Sequence, residues 1–331
     1  MTKILVTGGA GYIGSHTVKL LQEQGFDPIV FDNLSTGHSS SVSCPLIVGD
    51  LADKNLLKKV FSEYEISAVI HFASLLIVEE SMLFPSKYFE NNIVNGLNLL
   101  NAMVDRGVKK IIFSSSASVY GEPHYQPIDE DHPKSPISPY GETKWIFEKI
   151  LKWYSSAYDL SSVSLRYFNA AGASLDANLG EDKQGVTQLI PRVLKVAAKE
   201  MDSLKINGND YETSDGTCIR DYIHVLDLAQ AHVLGLNKLE QASGNFAYNV
   251  ATGKGSSIRE VVNAAVEITG KMIPIEYAPR RPGDPASLVA DASKIQTELG
   301  FAPKYSDLNT ILSTAWAWQE KLLEIKKTQT A

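Results

Sequence analysis

The 331-residue sequence predicts an α/β protein: a doubly wound parallel sheet followed by a second, smaller, loop-rich α/β lobe. Three observations point there. Short apolar runs alternate with helical patterns through the first half of the chain. A glycine-rich turn joins the first apolar run to the first helix. Past Asn169 the regular alternation gives way to shorter elements separated by Gly, Pro and polar loops.

The first element is Ile4-Leu5-Val6, a short buried strand, and Ile13, Val18, Leu20 and Leu21 begin a helical pattern after it. Between them Gly8, Gly11 and Gly14 recur at spacing three. Alone, such glycines also fit a surface turn. Between a strand and a helix they have separate tasks: a backbone angle that side chains avoid, close approach of a pyrophosphate, and tight seating of the helix. The helix N-terminus then offers N–H groups and partial positive charge to phosphate. The first gap is one residue longer than in the usual dinucleotide fingerprint. A second strand, Pro28 to Phe31, ends at Asp32, eighteen residues after Gly14. A carboxylate there suits a ribose with free hydroxyls and repels a 2′-phosphate, so NAD is expected rather than NADP. The sheet is therefore read as Rossmann-type.

The following elements continue the alternation. Thr36 to Ser43 is Ser-rich and reads as an exposed connection. Leu46 to Val48 is a strand ending at Gly49-Asp50, Leu56 to Phe61 is helical, and Ala68 to Ala73 is a strand. Asn91 to Val104 is a helix, Lys110 to Ser114 a strand, Tyr140 to Tyr154 a helix and Val163 to Tyr167 a strand. In such sheets ligands sit beyond the carboxyl ends of the strands, where Thr7, Asp32, Asp50, Ser114 to Ser116 and Asn169 fall. In the second half, helices are expected near Gln188 to Lys199, Val225 to Leu239, Ile258 to Thr269 and Leu308 to Leu322. Asn207 to Arg220 and Pro279 to Pro285 read as loops. The division expected is a nucleotide-binding domain over residues 1–170 and a substrate domain over 171–331, with late helices free to return to the first.

Composition narrows the function. Net charge is −7, with 31 Lys and Arg against 38 Asp and Glu, which argues against a nucleic-acid or anionic-membrane binder. Two cysteines, Cys44 and Cys218, form neither a disulfide framework nor a metal pattern, and the seven histidines lack ligand spacing. No apolar run reaches membrane-spanning length and no signal peptide precedes the first strand, so a cytoplasmic setting is expected.

Tyr140 and Lys144 stand four apart at the start of a helix and share one face. Taken alone, the pair reads as ordinary surface residues. Behind a nucleotide-binding turn and a serine-rich strand end, Tyr140 reads as a general base for a substrate hydroxyl, its phenol acidified by the ammonium and by a positive nicotinamide ring. Of the serines at Ser114 to Ser118, Ser116 is expected to bond the same substrate oxygen, the others to satisfy backbone groups.

The segments TGGAGYIG, DNLS, Gly49-Asp50, HFA, SSSASVYG, SPYGETK, RYFN, GTCIRDYIHV and APRRPGDP, in this order, resemble the extended short-chain dehydrogenase/reductases, and within them the UDP-galactose 4-epimerase family. The first and sixth segments alone would give only the superfamily. RYFN, RDYIHV and APRRPGDP are far more specific.

The resemblance implies a cofactor site in which Gly8, Gly11, Tyr12, Ile13 and Gly14 cradle the pyrophosphate of NAD. Asp32 and Asn33 meet the adenosine ribose, Asp50 and Leu51 lie near the adenine, and Phe72, Ala73 and Asn91 line the channel. It implies Ser116, Tyr140 and Lys144 as the catalytic three, Lys144 also holding the nicotinamide ribose. On the UDP-sugar side it implies Phe168, Asn169, Leu189 and Tyr222, with Arg220 and Arg281 on the diphosphate and Asp284 on the uridine ribose. Guanidinium forks suit phosphate oxygens, which agrees with the two arginines; Arg280 reads as surface charge.

The implied reaction is 4-epimerisation of UDP-glucose and UDP-galactose, in galactose metabolism, by transient oxidation at C4. The resemblance also implies a homodimer built through the helices over Asn91 to Val104 and Tyr140 to Tyr154. Two departures bear on the sugar. Leu76 stands where the well-studied bacterial pattern has lysine, and Leu288 replaces a tyrosine that limits room for a 2-acetamido group. An epimerase of UDP-GlcNAc and UDP-GalNAc, or one of dual specificity, is the alternative. A nucleotide-sugar 4,6-dehydratase would need an acidic pair where Ala117-Ser118 stands. A non-catalytic NAD-binding regulator would be marked by loss of Tyr140 or Lys144, and both are present.

Overall fold

The computed structural model describes residues 2–182, 187–281 and 284–330; residues 282 and 283, in the middle of the expected proline loop, lie outside these. The first half runs β1 (Lys3–Thr7), α1 (Tyr12–Glu23), β2 (Asp27–Asp32), β3 (Leu46–Val48), α2 (Lys54–Glu63), β4 (Ile66–His71), α3 (Val78–Leu83), α4 (Pro85–Phe89), α5 (Asn95–Asp105), β5 (Lys110–Ser116), α6 (Pro139–Tyr158) and β6 (Ser161–Tyr167). The second runs β7 (Asn169–Ala171), α7 (Leu189–Ala197), β8 (Leu204–Asn207), β9 (Ile219–His224), α8 (Val225–Gln241), β10 (Asn245–Val250), β11 (Gly255–Ser257), α9 (Ile258–Thr269), β12 (Ile275–Ala278), β13 (Ser287–Leu288), α10 (Ser293–Leu299) and α11 (Leu308–Thr330).

Seven strands form one sheet in the order β10-β6-β5-β4-β1-β2-β3, and every pairing in it is parallel. Parallel strands are covered on both faces, so β1 is apolar without alternation: Ile4, Leu5 and Val6 are at most 1% exposed. Ile4 and Val6 face the layer containing Val18 and Leu21 of α1 and Leu228 and Leu236 of α8. Leu5 faces the opposite layer, with Leu57 of α2, Leu99 of α5 and Phe147 of α6. The strand order reverses between β1 and β4, which opens a crevice at their carboxyl ends.

Several boundaries depart from the sequence reading. β10, at residues 245–250, pairs with β6, so the sheet is not confined to residues 1–170. β4 stops at His71; Phe72 and Ala73, expected inside the strand, instead turn and donate both their amides to the Thr7 carbonyl, at 2.8 and 3.1 Å. The helix expected from Asn91 enters through a π-helical turn over Glu90–Val94 before α5 proper. The loop expected up to Arg220 ends two residues early, since Ile219 and Arg220 already belong to β9.

In the second lobe β9 pairs with β11, β13 and β7, and β8 pairs in parallel with β12. Helices α7, α9 and α11 enclose a separate core around Val193, Leu194, Val261, Val262, Ile311 and Leu312. Pairing Asn169 of β7 with Tyr222 of β9 brings this lobe directly onto the end of β6.

Candidate active site

A cleft of about 470 Å³ runs over the carboxyl ends of the sheet and under the second lobe. At its floor Gly8 has φ +71°, and a Cβ there would stand 2.5 Å from the Ala73 amide nitrogen. A Cβ on Gly14 would stand 2.3 Å from the Gly8 carbonyl oxygen, so only glycine lets α1 begin this close to the turn. Gly11 caps α1 without a side chain, and the first-turn N–H groups, which have no intrahelical acceptor, belong to residues lining the cleft.

Asp32 closes this turn. Its Oδ2 accepts from the Ala10 amide at 2.9 Å and its Oδ1 from the Leu34 amide at 2.8 Å. Asn33 donates to Asp50 Oδ2 at 2.8 Å. Leu51, Phe72, Ala73 and Asn91 complete the wall. Bare backbone at a helix N-terminus, followed by a carboxylate at the end of β2, is a donor and acceptor set that fits a pyrophosphate and a ribose diol. The Ser-rich connection has a part the sequence did not disclose. His38 donates its amide to the Ala10 carbonyl at 3.1 Å, and Ser35 and Thr36 line the cleft.

β5 and α6 meet beside this turn. Ser138 caps α6, its hydroxyl accepting from the Gly141 amide at 3.1 Å, with Pro139 in the first helical position. A Cβ on Gly141 would lie 2.5 Å from the Ser118 carbonyl oxygen, so this glycine seats α6 directly on the turn after Ser116. Tyr140 and Ser116 both line the cleft. Lys144, one helical turn further on and 3% exposed, donates to the Ser114 carbonyl at 2.8 Å. Its Nζ lies 5.7 Å from the centre of the Tyr140 ring.

The electrostatics differ from the sequence expectation in one respect. Burial pushes the Tyr140 phenol above its ordinary value, opposed by a hydrogen bond from Ser116. The expected lowering by Lys144 is not what the protein groups give. Burial also pulls Lys144 down to about 7, so its charge is itself weakened, and its Nζ stands over the ring. Beneath them His71 is buried, pulled down to about 3 first by burial and then by Lys144, and its Nδ1 pairs with the Thr7 hydroxyl at 2.7 Å.

On the far side, Phe168, Asn169, Leu189, Arg220, Tyr222, Arg281 and Asp284 line the same cleft. Asn169 donates to the Asp221 carbonyl at 2.9 Å. Arg220 and Asp284 form an ion pair through Nη2 and Oδ1, and Arg220 Nη1 also donates to the Ile219 carbonyl at 2.7 Å. Arg281 reaches Glu79 at 3.3 Å, and the Asn207 side-chain carbonyl accepts from its Nε at 2.9 Å and Nη2 at 3.0 Å. Arg280 is engaged elsewhere, pairing with Asp210 and stacking 4.4 Å from the centre of the Tyr211 ring.

Leu288 stands apart from the other expected residues. It does not line the cleft; it pairs with Arg220 across β13 and β9 and packs beside Val119, Tyr120 and Ile128. Sequence reasoning missed Lys205, Ile206 and Asn207 of β8, which do line it, and Cys218, whose Sγ lies 3.9 Å from Asp284 Oδ2. A four-residue strand in a loop-rich stretch carries no distinguishing pattern, so only the fold brings Asn207 to Arg281.

Residues 4–251 match the model of the NAD dependent epimerase/dehydratase family. The chain is 49% identical over 319 residues to a UDP-glucose 4-epimerase of Halalkalibacterium halodurans, covering 96% of each. The crystal structure of UDP-glucose 4-epimerase from Brucella ovis in complex with NAD superimposes with a TM-score of 0.94 at 49% identity, covering 96% of this chain and 98% of that one. The UDP-glucose 4-epimerase from Bifidobacterium longum in complex with NAD+ and UDP gives 0.92 at 42% identity, covering 97% and 98%.

Proposed function

The chain belongs to the NAD dependent epimerase/dehydratase family, and we propose that it inverts C4 of a UDP-hexose, interconverting UDP-glucose and UDP-galactose. The observation that carries this reading is one cleft lined by a glycine turn, by Ser116, Tyr140 and Lys144, and by Arg220, Arg281 and Asp284. These are the parts needed to hold a dinucleotide, move a proton and grip a nucleoside diphosphate.

NAD held by Gly8, Gly11, Tyr12, Ile13, Gly14 and Asp32 supplies, when bound, the hydride acceptor for the first step and the hydride donor for the second. Tyr140 takes the proton of the sugar 4-hydroxyl as C4 is oxidised, and returns it when C4 is reduced on the opposite face. Ser116 donates to the same sugar oxygen and steadies the negative charge that grows on it as its proton passes to Tyr140. Lys144, tied to Ser114, holds its amine over the Tyr140 ring, and its lowered value keeps it able to give or take a proton near neutral pH.

Arg220 and Arg281 grip the diphosphate with planar forks, and Asp284 meets the uridine ribose. Anchoring the nucleotide end leaves the 4-keto sugar free to turn between the two steps. Asn33, Asp50, Leu51, Phe72, Ala73 and Asn91 belong on the cofactor side, and Phe168, Asn169, Leu189 and Tyr222 on the substrate side. Leu288 is outside the cleft lining, and its route to sugar choice would be the cluster of Val119, Tyr120 and Ile128, against which Phe168 also packs.

The same reading makes the chain a cytoplasmic enzyme of galactose metabolism and a homodimer. Trp153 of α6 is 74% exposed and Val94, at the entry to α5, is 53% exposed, apolar surface that a second copy would cover. Among the described residues no helix is long and apolar enough to cross a membrane. The test is conversion of UDP-galactose to UDP-glucose by the pure protein, followed by coupled oxidation of the product.

A further inference from the structure

Behind the cleft lies a buried ion pair that the reaction as described does not use. Glu148 of α6 and Arg166 of β6 are 7% and 4% exposed at the side chain. The guanidinium grips the carboxylate at both oxygens, Nε to Oε1 at 3.0 Å and Nη2 to Oε2 at 2.6 Å. Ser115 donates its hydroxyl to the same Oε1 at 2.5 Å.

The placement of these three residues is specific. Glu148 follows Lys144 by four residues and Tyr140 by eight, so all three stand on one face of α6. Ser115 lies between Ser114, whose carbonyl receives Lys144, and Ser116, which lines the cleft together with Tyr140. Arg166 sits directly across from Ser115 in the β5–β6 register. Its remaining fork nitrogen, Nη1, donates to the Tyr120 hydroxyl at 2.9 Å, and Tyr120 donates to Asn249 Oδ1 on β10 at 2.6 Å. Tyr120 ends the turn that begins at Ser116. The pair therefore braces β5, β6, β10, α6 and the Ser116 turn at one point.

Burying an ion pair costs desolvation that an apolar pair of the same size avoids. Stability is thus a weak reason for this pair, and its geometry gives a better one. We infer that Glu148, held by Arg166, is a positioning residue. Through Ser115 it fixes the height of α6 against β5 and so the approach of Ser116 to Tyr140. Lys144 makes one tie between helix and strand and Glu148 makes the second, a turn further along. Two ties prevent the helix from pivoting on the first.

This inference rests on the roles proposed for Ser116 and Tyr140, and the test separates the two. Wild-type turnover, and its loss in Tyr140→Phe, decide those roles. Ser115→Ala decides the inference: it removes one hydroxyl and leaves the Glu148–Arg166 pair intact. Its kcat should fall about tenfold, the equivalent of one hydrogen bond to a charged group, with KM for UDP-galactose within about twofold. In a Ser116→Ala background the same change should alter kcat by less than about twofold, because the hydroxyl being positioned is gone. Glu148→Gln should repeat the pattern if it folds. An equal fold-loss in both backgrounds would mean a purely structural tie and overturn the inference, as would a Ser115→Ala enzyme with wild-type kcat.

Discussion

Lys144 Nζ donates to the Ser114 carbonyl oxygen at 2.8 Å, which binds the helix carrying Tyr140 to the strand carrying Ser116. A neutral amine can make this bond as well as an ammonium. The side chain is buried deeply enough for its value to fall to about 7, so its charge is held at the expense of stability.

Lys144→Met removes that charge, and its effect on stability should depend on pH. In the unfolded chain the lysine titrates near 10.5, in the folded protein near 7. Between the two the unfolded state holds more protons, so wild-type stability rises with pH through that window. The methionine variant lacks this slope. Its advantage in urea midpoint over wild type should be largest near pH 7 and shrink toward pH 10, while turnover falls about a hundredfold or more. A pH-independent difference would mean that Lys144 keeps its ordinary value when folded.

Tyr140→Phe keeps the ring and removes the hydroxyl proposed to carry the proton. Turnover should drop by roughly 10² to 10⁴. Bound NAD, measured after denaturing the protein, should match wild type. Loss of cofactor together with activity would mean that Tyr140 serves binding rather than proton transfer.

Gly8→Ala places a methyl 2.5 Å from the Ala73 amide at a φ of +71°. Strain of about 1–3 kcal/mol is expected, relieved by displacing the turn at Phe72 and Ala73. Melting temperature should fall, and NAD affinity by about tenfold or more, a shift of at least one such increment in binding energy. Unchanged NAD affinity in a folded variant would remove this glycine from the cofactor cradle.

Arg220→Lys keeps the charge next to Asp284 but loses the planar fork. KM for the UDP-sugar should rise about tenfold with kcat little changed, since uniform binding is lost. UDP itself, used as a competitive inhibitor, should weaken by the same factor. A selective fall in kcat would instead place Arg220 at the reacting carbon.

Trp153→Glu puts a charge in the exposed apolar surface of α6. The wild-type chain of 36.2 kDa should travel at twice that mass in light scattering, and the variant at the single-chain value. A monomeric wild type would leave the Trp153 surface for another partner.

The first strands of the fold were legible because each is an apolar run with a polar residue at its end. Ile4 to Thr7 and Pro28 to Asp32 both read this way. β10 did not, since NFAYNV sits at the sheet edge, is only partly buried at its start, and follows the lobe that interrupts the sheet. The Ser–Tyr–Lys constellation was legible because the helix start and strand end that carry it have strong local signals. Its charge balance was not, because burial depends on which residues pack around Lys144. The Arg220–Asp284 pair spans 64 residues and Asn207 with Arg281 spans a similar stretch, separations at which no local periodicity survives. Nothing in the sequence links Ser115, Glu148 and Arg166; the β5–β6 register sets Ser115 across from Arg166, and the packing of α6 brings Glu148 to both.

The most direct measurement is a coupled assay of the pure protein with UDP-galactose, run with and without added NAD, beside a parallel reaction with UDP-N-acetylgalactosamine. Formation of UDP-glucose from UDP-galactose is the expected result, with the acetamido sugar turned over more slowly or not at all. No conversion of UDP-galactose, even with NAD supplied in excess, would contradict 4-epimerisation of UDP-hexoses as the reaction of this cleft.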